Sequence, residues 1–238
     1  MSNTKLISKG SNNAKTVKNS LETHILYMLP YNQNSKGINI CTKASKGCIK
    51  GCLVNAGLAS VYATINEARS RRTELYITDR TAFCAKIYHE LFLLNKKAIK
   101  KNGKIEVRLN GTSDLDFIAI IKNRLGKDIL VDFPSLIFYD YTKVLGKVMK
   151  YKGQNYVLTF SRSETNEADC KKALSVGANV SVVFDHKKPM PKTYLGAEVI
   201  DGDKADDLML ELSGKILGLK AKGTNAKADT SGFVVRNY

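Results

Sequence analysis

From residue 21 onward, apolar and polar positions follow two periods: short runs that read as strands, and stretches stepping by three and four that read as helix faces. Residues 1–20 show neither period, are polar, and predict a mobile basic arm. LETHILYMLPYN then forms a short apolar approach, Ile38 to Ile40 is the candidate first strand, and Asn55 to Arg71 is predicted helical. Between Thr73 and Lys101, Cys84, Ile87, Leu91, Leu94 and Ala98 share one helix face, and Asn102-Gly103 marks the stop.

The pattern then repeats. KIEVRLN, SLIFYD, NYVLTFS, VSVVFD, AEVID and KILGLKAKG are predicted strands. Helices are predicted around Leu115 to Leu125, around Val144 to Met149, in NEADCKKALSVG and in DKADDLMLELSG. Asn166 reads as an N-cap and Gly177 as a C-terminal stop.

Strands near 38, 107, 137, 158, 182, 199 and 217 therefore alternate with helices. Each helix must carry the chain back across the sheet, which makes the strands pair in parallel. The expected fold is α/β: one (β/α) barrel-like domain over residues 21–238, a partial barrel of six or seven mostly parallel strands. An open doubly wound sheet ranks second.

Composition narrows the class. At 238 residues with 43% hydrophobic residues, the chain can bury a substantial core. No apolar run suits a membrane span and the N-terminus lacks a secretory signal core, so a cytoplasmic location and no membrane partner are expected. The net charge of +16 attracts phosphate polyanions and anionic cofactors. Lysines are spread over almost every element, which points to non-specific contact with nucleic acid more than to a dedicated module.

Cysteines change the picture most. Cys41, Cys48 and Cys52 fall within twelve positions of CTKASKGCIKGC, and reduced cytoplasmic thiols so grouped read as metal-binding or redox. Three thiolates can hold three irons of a [4Fe-4S] cubane and leave one iron open to another ligand. Lys43, Lys46 and Lys50 would offset the negative charge, and Gly47 and Gly51 would let the backbone bend around sulfide. Zinc is the rival and needs a fourth ligand. Cys84 and His89, five apart on one helix, point to different faces, and Cys84 belongs to the apolar stripe.

In parallel α/β folds the site forms where strands end at their C-termini. The loops expected there contain Asn110-Gly111-Thr112-Ser113-Asp114, Asp140 to Lys143, Ser161-Arg162-Ser163, Asp185 to Lys188, Asp201 to Asp203 and Lys220 to Gly223. Asn110, Ser161, Arg162 and Lys222 favour a small-molecule ligand at this mouth. Asp114, Asp140, Asp185 and Asp201 could converge on Mg²⁺ as in a nuclease. Helix capping is the preferred reading of Asp114 and Asp116. His24, His89 and His186 have no partner at ligand spacing, Cys170 reads as semi-buried in a helix, and no P-loop or dinucleotide fingerprint occurs.

A cysteine triad after the first strand of a (β/α) barrel, with a polar Gly-bearing loop after the second, resembles the radical S-adenosylmethionine superfamily. That resemblance implies that Cys41, Cys48 and Cys52 bind a [4Fe-4S] cluster, and that Asn110, Gly111, Thr112 and Ser113 lie where the cofactor's amino group is held. The spacing departs from the superfamily's three-then-two pattern, with six and three intervening residues. The sequence also resembles a phage-encoded family known as gene product eighty-eight, whose cysteine loop precedes alternating strands and helices. Members often carry further cysteines near the C-terminus, which this chain lacks. The expected function is a phage iron-sulfur protein with an open-iron site at the barrel mouth and radical chemistry. The alternative is a non-enzymatic cluster module for structure, electron transfer or sensing, acting on nucleic acid.

Overall fold

A computed structural model describes residues 5–12, 15–52 and 62–238. Its strands are β1 (Ile7–Lys9), β2 (Thr23–Leu26), β3 (Ile105–Arg108), β4 (Leu136–Thr142), β5 (Tyr156–Ser161), β6 (Val180–Phe184), β7 (Thr193–Tyr194), β8 (Ala197–Asp201) and β9 (Ile216–Lys220). They form one sheet in the order β1-β2-β3-β4-β5-β6-β9-β8-β7. Seven strands, β2 through β6 with β9 and β8, run parallel, and β1 and β7 add antiparallel to the two ends.

The sheet is not closed. β1 and β7 are its edges, where the barrel reading would have the outer strands meet. The physical reason is the short antiparallel strand at each end, which terminates the parallel run and leaves no partner for closure. The mixed α/β class and the parallel pairing stand as the alternation demanded.

The helices are α1 (Lys46–Lys50), α2 (Ala63–Thr78), α3 (Arg80–Lys100), α4 (Phe117–Leu125), α5 (Ile129–Asp132), α6 (Leu145–Tyr151), α7 (Glu167–Ser175), α8 (Leu208–Glu211) and α9 (Gly223–Lys227). From β2 to β6 the spatial order follows the chain, so right-handed crossovers place successive helices on one face. The main core lies there: Ile87 and Leu91 of α3, Ile118 and Ile121 of α4 and Val148 of α6 pack with Val107, Phe138, Phe160 and Val182 of the strands. The opposite, inner face buries Tyr139 and Leu217 with Met209 of α8.

Several local expectations change. Residues 1–20 are not simply an arm: Leu6 and Ile7 are buried, and their backbone N–H groups donate to the Glu90 carboxylate at 2.8 and 2.7 Å. Ile38 to Ile40 is not a strand; β2, inside the apolar approach, takes that place and Cys41 makes an isolated bridge to Asp114. The long helical region breaks at Asp79, whose φ of −139° ends α2 and whose carboxylate accepts from the Ala82 N–H to open α3. The start of the helix expected from Asn55 lies partly outside the described residues. Asp116 caps α4, as capping chemistry predicts. Asn166 precedes α7, but its side chain accepts from the Ser163 N–H and the Cys170 thiol and caps no helix N–H. Among the described residues, no helix is long and apolar enough to cross a membrane.

Candidate functional site

The cysteine loop packs over the C-terminal ends of β2 to β5, where the loops after those strands converge. Cys41 is the fixed member of the trio. Its sulfur accepts from the Tyr31 N–H at 3.3 Å and its thiol faces the Thr112 carbonyl at 3.7 Å. Burial pushes the Cys41 thiol up to about 11; the Tyr31 N–H opposes this, and the nearby Cys52, Cys48 and Asp114 add to it. All three cysteines are half-buried.

Cys48 sits on α1, a short helix opened by Ser45, whose Oγ accepts the Cys48 N–H at 3.2 Å. The Glu164 carboxylate holds this helix end, accepting from the Ser45 hydroxyl at 2.6 Å and the Gly47 N–H at 2.8 Å. A Cβ on Gly47 would overlap Ser231 and Phe233. Gly47 is therefore required by the close approach of α1 to the C-terminal segment, not by bending around sulfide. Lys43, Lys46 and Lys50 are exposed.

The loop after β3 is occupied with its own wiring. Asn110 Nδ2 donates to Asp140 and to the Leu115 carbonyl, while its Oδ1 accepts from Ser113 and from the Leu115 N–H. Thr112 Oγ1 accepts the Met28 N–H at 3.1 Å and donates to the Met28 carbonyl. A Cβ on Gly111 would lie 2.6 Å from the Tyr27 ring and 2.8 Å from the Leu26 carbonyl. The glycine serves packing of this loop on β2. Asn110, Gly111, Thr112 and Ser113 are thus committed to protein partners and not arranged around a ligand's amino group.

Ser161 accepts from the Ser181 hydroxyl at 3.2 Å, and Arg162 Nη1 donates to the carbonyls of Gly232 and Phe233 at 2.5 and 3.0 Å. Arg162 is a clip on the C-terminal segment, and Lys222 is paired with Asp203. The four aspartates do not converge. Asp114 takes Thr142 and Lys147, Asp140 takes Asn110 and Tyr156, Asp185 takes Arg236, and Asp201 accepts the Asp203 N–H. Cys84 is wholly buried in the main core, where burial raises its thiol, and His89 is exposed. Neither completes a zinc set. Cys170 is fully buried, its thiol pushed up to about 12 by burial.

Among the described residues no group of three or more His, Cys, Asp or Glu side chains is placed to hold a metal ion. A tetrahedral zinc site would need sulfurs about 3.8 Å apart, given bonds of about 2.3 Å. A cubane separates its ligands more widely than a single ion does. The donor set, three thiols on one rim, fits such a cluster in chemistry.

The family model for gene product 88 matches residues 1–237. The chain belongs to the gene product 88 family. No curated protein and no solved structure matches it. The likeness of this gene product 88 member to the radical S-adenosylmethionine superfamily finds no support. The sheet is open, the cysteine loop does not directly follow a strand, and the second loop is filled by its own hydrogen bonds. Sequence reasoning missed Glu164, which holds α1, and the stacked pair Tyr27 and Arg69. No motif or spacing signals any of them.

Proposed function

We propose that this gene product 88 member is an iron-sulfur protein in which Cys41, Cys48 and Cys52 hold a [4Fe-4S] cluster at the rim of the sheet. The observation that supports it is that the Cys41 sulfur is fixed by the Tyr31 N–H and the Thr112 carbonyl, while α1, anchored by Glu164, carries Cys48 and ends just before Cys52. When bound, such a cluster supplies one-electron redox chemistry and an iron position left free by the three cysteines. The non-enzymatic module is the favoured form, because Asn110, Gly111, Thr112 and Ser113 have spent their polar groups on the protein. The charge of +16 suits a role beside nucleic acid.

The test is protein purified without oxygen, with iron and sulfide measured per chain. Brown protein containing both, and their loss when the three cysteines are changed to serine, supports the reading. Colourless protein, or zinc alone, overturns it. Adding S-adenosylmethionine and a reductant separates the two forms: 5′-deoxyadenosine would restore the radical enzyme and remove the module. DNA affinity that falls steeply as salt rises supports the nucleic-acid role, and affinity indifferent to salt removes it.

A further inference from the structure

Arg69, on α2, is 8% exposed, and its guanidinium lies over the Tyr27 ring with 5.4 Å to the centroid. Its Nη1 donates to Asn66 Oδ1 at 3.3 Å, while Nε is buried with no hydrogen-bond partner. The arginines that form ion pairs among the described residues are Arg71, Arg108 and Arg236. Nor can the remaining residues supply an acid: 1–4, 13–14 and 53–61 contain no aspartate or glutamate. A cation this buried without an anion is costly, because buried charges are otherwise paired. Packing shows from which side. The Tyr27 ring beneath the guanidinium lies against Gly111, and the carbonyl of the next residue, Thr112, faces the Cys41 sulfur at 3.7 Å. The Arg69 carbonyl accepts from the Thr73 hydroxyl, which in turn accepts the Leu29 N–H, two residues ahead of the Tyr31 N–H that bonds the same sulfur.

We propose that Arg69 is the counter-charge of the cysteine site, its guanidinium pairing with the net-negative, thiolate-bound iron-sulfur cluster. The proposal rests on the cluster reading above and adds a residue to it. Arg69 touches no ligand bond; it positions and retains the anionic group through charge and through its free N–H. The Tyr27 ring beneath it sets the height of the guanidinium, and Gly111 lets the loop after β3 close against that ring.

The experiment compares the full-length wild type with Arg69→Met and Arg69→Lys, each examined before and after anaerobic loading with iron and sulfide. In the metal-free protein Arg69→Met removes an unpaired buried charge, and its Tm rises by about 2–4 °C. In the loaded protein the same change speeds iron loss to a chelator by about ten- to a hundredfold, the usual effect of removing an outer-shell partner. Arg69→Lys keeps the charge without the fork and recovers part of the retention, a rescue that a purely structural role would not show. If wild type loads and Arg69→Met retains iron equally well, the Arg69 assignment falls and the cluster reading stands. If wild type takes no iron or sulfide, both fall. Should Arg69→Met fail to fold, Arg69→Gln takes its place as the charge-neutral variant, and iron retention in Arg69→Gln equal to that of wild type overturns the assignment.

Discussion

Two arginines with a buried, unbonded Nε, Arg69 and Arg108, differ in one respect. Arg108, on the inner face, lies 3.0 Å from Asp206 and 3.7 Å from Asp140, with its guanidinium 4.8 Å from the Tyr141 ring centroid. Arg69, near the cysteine rim, has an aromatic ring and an amide but no carboxylate. In both, Nε is buried without a hydrogen bond, so the contrast is one of charge. Burial lowers both pKa values; the Arg108 carboxylates reverse that and raise it, whereas Arg69 stays lowered. On the inner face Arg108 has its anion, and residues 15–20 and the segment around Asp206 close over it through Lys15–Asp206 at 2.8 Å and Asn19–Glu106 at 2.8 Å, with Glu106 Oε1 left as a buried acceptor without a hydrogen bond. At the rim, by the proposal above, the anion would be the added cluster. That face of the open sheet is covered by the protein's own segment around Lys15, Asn19 and Asp206.

The largest effect should come from breaking the completed side. Asp206→Ala leaves Arg108 and Lys15 buried without their shared anion, a loss of about 3–5 kcal/mol. Urea unfolding measures it, and iron per folded chain should stay at the wild-type value because the rim is untouched. The acid limb sharpens the assignment. Burial pushes the Asp206 carboxyl up, but Arg108 and Lys15 outweigh it and hold it at about 2. An unfolded aspartate titrates at about 3.9. The folded value is the lower one, so the contribution is whole above about pH 4 and disappears as pH falls through about 2. The stability gap between wild type and Asp206→Ala should therefore shrink across that window. A gap independent of pH there would mean that Asp206 acts by packing.

Much of the completed side was legible in the sequence and little of the open one. β3, β4, β5, β6, β8 and β9 were readable because their apolar runs are bounded by turn and cap residues. β2 was not, since Thr23 and His24 look polar. Both are nevertheless buried, with Thr23 hydroxyl bonded to Glu106 at 2.8 Å and His24 to Glu22 at 2.7 Å. β1 hid in a polar stretch because its support, Glu90, arrives from a helix 83 residues away in sequence. At the rim, the clustering of Cys41, Cys48 and Cys52 was plain from spacing. Their surroundings were not: Glu164 reaches Gly47 across 117 residues, and Arg69 becomes distinctive only through the absence of an acid near it. The strand-end aspartates misled in the opposite direction, since each is satisfied by a local or cross-loop donor that no spacing rule reveals.

A smaller effect, on both sides at once, should follow Gly111→Ala. The new methyl group meets Tyr27 Cδ1 at 2.6 Å, Ile25 Cγ2 at 2.7 Å and a backbone oxygen at 2.8 Å, so the ring and the loop must part. Overpacking of this kind costs about 1–3 kcal/mol. Because the displaced ring is the one beneath Arg69, iron retention should fall with stability, unlike in Asp206→Ala. Stability loss with wild-type retention would show that the height of the Arg69 guanidinium does not matter.

The smallest effect should come from Glu164→Ala. Burial pushes this carboxyl up, but the Ser45 hydroxyl and the Gly47 N–H outweigh it and keep it below its ordinary value. Losing those bonds removes about 1 kcal/mol each at most, partly recovered by water at this half-exposed position. The change should be local: amide exchange at Cys48 and Gly51 quickens while that of β4 and β5 holds, because α1 is anchored by Glu164 and the central strands are not. Equal acceleration in the central strands would mean that α1 and the sheet open as one unit. If exchange quickens only in metal-free protein and the loaded form is protected, the trio itself orders the loop. If it quickens in both, Glu164 presets the direction of Cys48 before any metal arrives, and the rim is then built in two parts, with geometry set by an acid and charge by an arginine.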